Sequence, residues 1–304
     1  MIHTAYKATG RWLHNGMCRA RTCALGIIGP EAVAACRYRR VAGHALDLNA
    51  PKDFNAKIQW LKFRSDTSRW AELADKVRVR GYVRDCGYAS ILNEVLAVYS
   101  RATDIDFSAL PSSFVLKANN ASAAIILVKD KRALDMADTR RQLEHWLRTP
   151  FGVVTAEPYY RRMTPRILAE RYLEQDGGLS TSLIDYKFHC FQGEPAFCLV
   201  LCNRVIGGHV SKVVYDLDWN KHNEYLVEGE RTGIDIPKPR SYATMLEIAR
   251  DLSRPFPFVR VDLYEVEGRP IFGELTFTPA AGFITYYTHD FLNILGDMLR
   301  LPDE

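Results

Sequence analysis

The stretch FPFVRVDLYEVEGRPIFGELTFTP, residues 256–279, sets two apolar strands around a turn and puts one carboxylate in the middle of each. A three-residue turn at Glu267-Gly268-Arg269 predicts a hairpin in which Asp262 faces Glu274, with Cβ atoms about 5 Å apart. Two unpaired carboxylates at that distance repel each other, so one keeps a proton or a cation lies between them. The pattern indicates Mg²⁺, which takes one or two carboxylates and completes its shell with phosphate oxygens and water.

A second interpretation of the same acids needs no metal. In it, Arg260 or Arg269 pairs with the two carboxylates on an exposed face of the hairpin. The register also matters, because a slip of one residue puts the acids on opposite faces of the sheet. Spacing alone leaves these interpretations open.

Two lysines lie in strand-like text elsewhere in the chain. Lys117 ends the apolar run FVLK just before the small polar loop ANNASAA, and Lys187 lies inside LIDYKFHCF on one face with Asp185 and His189. A lysine in mid-strand usually places its ammonium at a sheet edge. Together with the carboxylate pair and a small-residue loop, however, these lysines supply what nucleoside triphosphate chemistry needs: cations for phosphates, a metal and a mobile loop.

Several common enzyme motifs are missing from the sequence. It contains no GxxxxGK[ST], GxGxxG, HRD, HExxH or GxSxG. The P-loop, Rossmann and protein-kinase classes are therefore excluded, as are the zinc proteases with that helix motif. The eight histidines lack metal-ligand spacing, which argues against zinc.

Composition describes an ordinary globular protein of 304 residues, 47% hydrophobic and 25% charged, with a net charge of +4. The first 50 residues carry seven Lys or Arg against two acids, and the remainder is near neutral, so no chain-wide nucleic-acid footprint is expected. Seven cysteines without a CxxC pair indicate a reducing, cytoplasmic location. No run approaches the roughly 20 apolar residues of a membrane span. Peripheral contact with anionic lipid through the basic residues 1–48 is an alternative.

Helical patterns alternate with antiparallel hairpins along the chain, which predicts an α+β fold. Asp53 is the expected cap of a helix that carries Ile58, Trp60 and Leu61. The segment WAELADKVRVRGYVRDCG continues with helical spacing, and ILNEVLAVYS is expected to form a strand.

The segments FNAKIQWLKF, LADKVRVRGYV, FVLKANNASAAIILV, RILAERYL, DYKFHCFQGEPAF and YDLDWN, with the hairpin itself, resemble the TupA-like ATP-grasp family from Phe54 to the C-terminus. The resemblance implies an ATP-grasp fold, in which two lobes with antiparallel sheets grip ATP. The expected division is a basic helical leader (1–48), a helical region (49–112), a small lobe (113–170) and a C-terminal lobe (171–304).

The resemblance also implies an activity. ATP phosphorylates a carboxylate, and an amine then attacks the acyl phosphate to form a carbon–nitrogen bond. The family's setting in surface polysaccharide biosynthesis implies a small-molecule or glycan carboxylate, such as a uronic acid, and an amino acid or peptide as the amine. The alternatives are phosphotransfer to a sugar and a non-catalytic, nucleotide-binding role in glycan assembly.

Carried over by motif, the implied site residues fall into three groups. The expected ATP contacts are Lys117, Asn120, Ser122, Glu170, Arg171, Tyr172, Leu173 and Lys187, with residues 170–173 as the strand that contacts adenine. The expected Mg²⁺ ligands are Asp262, Glu274 and Thr276. Arg260 and Lys187 are the expected catalytic residues.

The chain departs from the family pattern in two glycine-rich places. The loop after Lys117 reads NNASAA where glycines are expected, and the last motif reads TPAAGF in place of TPGSGF. Glycine adopts positive φ and lets the backbone approach a phosphate closely. Because Ala123 and Ala124 lack this freedom, we expect altered closure of the loop over ATP.

Overall fold

A computed structural model describes residues 27–174, 178–205 and 208–302. Within these ranges the helices are α1 (Pro30–Ala42), α2 (Phe54–Arg64), α3 (Ser68–Leu73), α4 (Val79–Asp85), α5 (Met136–Arg148), α6 (Phe151–Val154), α7 (Tyr242–Ser253) and α8 (His289–Met298). The strands are β1 (Val95–Tyr99), β2 (Phe114–Ala118), β3 (Ile125–Val128), β4 (Ile167–Arg171), β5 (Asp185–Phe191), β6 (Glu194–Cys202), β7 (Ser211–Tyr215), β8 (Phe258–Val266) and β9 (Arg269–Thr276). The alternation predicted from sequence is confirmed as an α+β fold.

The first sheet has four antiparallel strands in the order β1-β4-β2-β3. Strand β1, from the predicted helical region, pairs with β4 at its edge. Phe114 and Leu116 of β2 pack with Leu143 of α5 in a separate apolar core, and all three side chains are fully buried. The sheet therefore presents its opposite face, with Lys117, away from that core.

The second sheet has five antiparallel strands in the order β7-β6-β5-β8-β9. Helix α7 covers one face through Met245, Ile248 and Leu252, which are fully buried. The central strands β5 and β8 are buried along most of their length, although they carry several charged residues. Those charges must be paired, because an unpaired charge inside a sheet is strongly unfavourable.

Helix α2 begins where the sequence predicts. The side chain of Asp53 accepts a hydrogen bond of 3.0 Å from the backbone N–H of Ala56, which satisfies an otherwise unpaired donor of the first turn. The next predicted helical segment is divided in two, since α3 ends at Leu73 and α4 begins at Val79. Between them, the carboxylate of Asp75 accepts from the N–H of Val77 at 2.8 Å and competes with a continuous helix.

The predicted basic leader lies only partly within the described ranges, because residues 1–26 fall outside them. Its described part contains α1, which packs through Val33 and Ala34 against Phe63 and Phe283. No helix in the described part of the chain is long and apolar enough to cross a membrane. The domain limits drawn from sequence stay predictions.

Candidate functional site

The β8–β9 hairpin brings the two acids face to face by a different route from the predicted one. Its turn has two residues, Glu267 (φ 53°) and Gly268 (φ 72°), so the predicted three-residue turn is wrong. A bulge at Gly273 takes up the extra residue, and Asp262 still pairs with Glu274. A Cβ at Gly273 would lie 2.9 Å from the carbonyl oxygen of Asp262, so the bulge requires glycine.

Two cations surround the inner acid. Asp262 is 1% exposed, and its Oδ1 and Oδ2 accept hydrogen bonds from Arg260 Nε at 2.6 Å and Nη2 at 2.7 Å. Lys187 Nζ, on the neighbouring strand β5, also donates to Asp262 Oδ2. Burial alone lowers the pKa of Arg260, but the charge and hydrogen bonds of Asp262 outweigh it and hold this pKa above its ordinary value.

The outer acid is more accessible. The side chain of Glu274 is 35% exposed, and its Oε1 accepts from Thr276 Oγ1 at 2.9 Å and from Arg260 Nη2 at 3.3 Å. Arg260 Nη2 also contacts Thr276 Oγ1 at 3.0 Å. The pairing of Arg260 with both acids, left open by the sequence, is thus present, but on a buried face. Arg269 lies at the exposed end of the hairpin.

The first sheet contributes its own ion pair. Lys117 Nζ donates to Glu170 Oε2 at 2.6 Å, and Arg80 Nη1 lies 3.6 Å from Glu170 Oε1. The Glu170 side chain is 8% exposed, whereas that of Lys117 is 22% exposed. The Lys117 side chain is therefore partly accessible to a bound anion.

The loop that follows Lys117 adopts a left-handed conformation in spite of its alanines. Ala123 has φ 57°, a value that glycine adopts without strain, and the N–H of Ala118 donates to the carbonyl of Ala124 at 3.0 Å. Asn120 is buried and Ser122 is exposed. Substitution by alanine has therefore not removed the left-handed turn, although it strains the backbone there.

Lys76 is a further cation of this region to which sequence reasoning assigned no role. It lies between α3 and α4, and its Nζ donates to the carbonyl of Ala121 at 2.8 Å and lies 3.9 Å from Glu274 Oε2. Burial lowers the pKa of Lys76, and the charge of Glu274 opposes that shift. The signal was the Asp-Lys pair of LADKVRVRGYV, whose spacing suggests only a helix.

The other predicted nucleotide contacts follow β4. Arg171 is exposed and lies 3.6 Å from Glu94, so its side chain is not part of the buried cluster. Tyr172 and Leu173 continue as irregular, partly exposed chain. Their contact with adenine stays a prediction.

Hard oxygen ligands are present for a divalent cation in the form of two carboxylates and the Thr276 hydroxyl. Both oxygens of Asp262 accept from cations, whereas Glu274 Oε2 lies 3.9 Å from its ion-pair partner among the described residues, Lys76 Nζ. No group of three or more His, Cys, Asp or Glu side chains that could hold a metal ion occurs in residues 27–174, 178–205 and 208–302. The donor set fits Mg²⁺, because this ion is usually bound through one or two carboxylates and completes its shell with water and substrate oxygens.

Two antiparallel sheets, each with a lysine paired to a carboxylate, together with the opposed acids of the last hairpin, define an ATP-grasp protein. The chain belongs to the TupA-like ATP-grasp family, whose model matches residues 56–300. The predicted TupA-like ATP-grasp family is thereby confirmed.

Solved structures of similar fold include D-alanine–D-alanine ligase from Bacillus anthracis complexed with ATP, at 13% identity and a TM-score of 0.43, covering 83% of this chain and 68% of that one. The ATP-grasp ligase PsnB complexed with a minimal precursor is 11% identical, with a TM-score of 0.41 over 81% and 67% of the two chains. D-Alanine–D-alanine ligase from Helicobacter pylori is 14% identical, with a TM-score of 0.42 over 82% and 68%. No curated protein matches the sequence.

Proposed function

We propose that the protein is an ATP- and Mg²⁺-dependent ligase that joins a carboxylate to an amine through an acyl phosphate. The observation that carries this proposal is the cluster of Lys187, Arg260, Asp262 and Glu274 on three adjacent strands, in which all but Glu274 are buried. Well-packed apolar side chains in these positions would stabilise the sheet at least as well as buried ion pairs do. Stability alone therefore does not explain the charges, whereas binding of a charged ligand does.

The balance of charge in the cluster favours a polyanion. Among the described residues, the ion pairs around the site hold six cations against four carboxylates; the cations are Lys76, Arg80, Lys117, Lys187, Arg204 and Arg260. The carboxylates are Glu170, Asp185, Asp262 and Glu274. The phosphates of ATP would offer Lys187 and Arg260 further anionic partners and so free oxygens of Asp262 for a cation.

Glu274, Asp262 and Thr276 are the residues that would hold Mg²⁺. The bound ion would neutralise phosphate charge and orient the phosphates for in-line transfer. Glu274 Oε2 is the most available oxygen, since Glu274 is the more exposed of the two acids. We assign Lys117 to the phosphates, Glu170 with residues 171–173 to adenine, and the loop containing Asn120 and Ser122 to closure over ATP.

The reaction has two displacements. A carboxylate oxygen of the acid attacks the γ-phosphorus, and ADP leaves. The amine nitrogen then attacks the acyl carbon, phosphate leaves and the nitrogen loses a proton. Arg260 and Lys187 stabilise negative charge on the transferred phosphoryl group, and Asp262 keeps both cations in place.

The proposed substrates are an acid and an amine. The family motifs support an acid from surface polysaccharide biosynthesis, as a sugar acid or glycan carboxylate, and an amino acid or peptide as the amine. A cytoplasmic location, with peripheral membrane contact through residues 1–48 as an alternative, fits soluble substrates of this kind.

Phosphate release from ATP tests the reaction. We expect release only when a uronic acid and an amine are both supplied, and we expect Glu274→Gln to lower the rate at least 100-fold because it removes a charged metal ligand. Release that needs only a sugar would indicate phosphotransfer, and an undiminished rate in Glu274→Gln would refute the metal assignment.

A further inference from the structure

A second buried charge cluster lies behind the end of β9 and belongs to none of the roles assigned above. Glu157 is 4% exposed, and its Oε1 accepts hydrogen bonds from Thr278 Oγ1 and, at 3.1 Å, from Tyr159 Oη. The two hydroxyls of Tyr159 and Thr278 are also 2.7 Å apart. Thr278 stands two residues beyond Thr276, so Glu157 fixes the chain just where it leaves the candidate metal site.

Helix α2 holds the other end of the same turn. Lys62 is 2% exposed, and its Nζ donates to the carbonyl of Ala281 at 2.9 Å and lies 5.1 Å from the ring centre of Phe283. Gln59 Nε2 donates to the carbonyls of Ala281 and Gly282 at 3.1 and 2.8 Å. Two side chains of one helix thus bind consecutive carbonyls of the turn.

The turn between these anchors is strained. Ala280, Ala281 and Gly282 have φ values of 50°, 57° and 76°, and two of the three are alanines. Consecutive left-handed residues persist only where the surrounding structure over-determines them. The anchors from α2 and Glu157 supply that constraint, so their loss would let the turn relax.

Tyr160 links this cluster to the candidate site. Burial raises the pKa of Tyr160, the charges of Glu157 and Glu274 raise it further, and that of Arg260 lowers it. The centre of its ring lies 4.6 Å from that of Tyr159, whose hydroxyl donates to Glu157. The charges of Glu157, which anchors the turn, and of Glu274 therefore both act on Tyr160.

We propose that Lys62 and Glu157 are positioning residues, which hold the turn at 278–282 so that Glu274 and Thr276 stay aligned for Mg²⁺ bound to ATP. This inference rests on the proposed function. It gives a role to a buried lysine and a buried carboxylate that would otherwise only destabilise the fold, because each loses its hydration in the interior. Neither residue touches the nucleotide or the reacting atoms; both act through the backbone that follows β9.

Full-length Lys62→Met and Glu157→Gln test the proposal against Lys57→Met. Lys57 is a matched control because it lies on the same helix and donates to a carbonyl, that of Leu299 at 2.8 Å, away from the turn. Hydrogen–deuterium exchange without ligand should be at least 10-fold faster in residues 277–284 of the two test variants and unchanged in the control.

The second readout is ATP affinity measured with Mg²⁺ and with EDTA. We expect Lys62→Met to reduce the gain in affinity due to Mg²⁺ at least 10-fold and to leave the metal-free affinity unchanged, and we expect Lys62→Arg to restore the gain. If Lys62→Met does not fold, Thr278→Val, which removes one hydroxyl bonded to Glu157, takes its place with the same expected results.

The outcomes separate the two proposals. A wild-type protein whose ATP affinity does not depend on Mg²⁺ refutes the proposed function and this inference with it. Faster exchange in the turn with an unchanged gain from Mg²⁺ shows that the pair is merely structural and overturns the positioning role alone. Unchanged exchange in both test variants also overturns it.

Discussion

Replacing Asp262 by asparagine should lower the stability of the folded protein in addition to its effect on catalysis. The side chains of Arg260 and Lys187, which bind Asp262, are 10% and 8% exposed. The amide keeps the shape of the carboxylate but leaves the two buried cations without their shared anion. Removing one partner of a buried ion pair costs about 3–5 kcal/mol, and we expect that range for Asp262→Asn.

Glu274→Gln provides the comparison. Glu274 is 35% exposed, and Arg260 keeps its pair with Asp262 when Glu274 loses its charge. Ion pairs near the surface contribute about 0–1 kcal/mol, so this change should alter stability little. Two substitutions of neighbouring acids are therefore expected to differ by several kcal/mol in the free energy of unfolding.

Urea unfolding of both variants at pH 7 without nucleotide measures the difference, with phosphate release measured in parallel. A domain is stable by only about 5–15 kcal/mol, so unfolded protein contributes to the loss of activity in Asp262→Asn when the wild type lies at the lower end of that range. ATP should stabilise Asp262→Asn, since its phosphates supply an anion to both cations. A cost below 1 kcal/mol for Asp262→Asn, or equal costs in the two variants, would refute the inferred charge balance.

Two further predictions concern the turn behind β9. Ala280→Gly should stabilise the protein by about 0.5–1 kcal/mol, because glycine adopts the left-handed conformation of this residue without strain. The control Ala35→Gly, within α1, should instead cost about 1 kcal/mol. A loss of stability in both variants, measured by thermal unfolding, would contradict the strain assigned to Ala280. Burial lowers the pKa of Lys62 to about 7, with Glu157 opposing the shift and Arg37 adding to it. Between about pH 7 and the ordinary lysine pKa near 10.4, the folded state thus binds fewer protons than the unfolded state. The free energy of unfolding should therefore rise with pH in that window, relative to Lys62→Met. Urea unfolding at pH 7, 8 and 9 measures this difference, and the same pH dependence in both proteins would contradict the lowered pKa of Lys62.

Local sequence determined most of the helices and strands and the opposition of the two acids. Asp53 caps α2 because its carboxylate lies within hydrogen-bond distance of the backbone N–H of Ala56, which has no partner inside the helix. The order of strands in the last hairpin follows from its apolar runs and glycine turn. The exact pairing register did not follow from the local sequence. The two-residue turn shifts the register by one residue from the predicted one, and the bulge at Gly273 shifts it back, so that Asp262 still faces Glu274.

Only the tertiary structure decided which charges meet. Lys187 and Asp262 are 75 residues apart in sequence, and Lys62 is 219 residues from Ala281. Whether Lys187 meets Asp262 depends on which strands become neighbours in the sheet. Whether Lys62 meets Ala281 depends on which helix packs against the turn that follows β9. A single sequence gives the spacing of residues within an element, but burial and charge pairing arise between elements, so the site's chemistry could be anticipated while its supporting contacts could not.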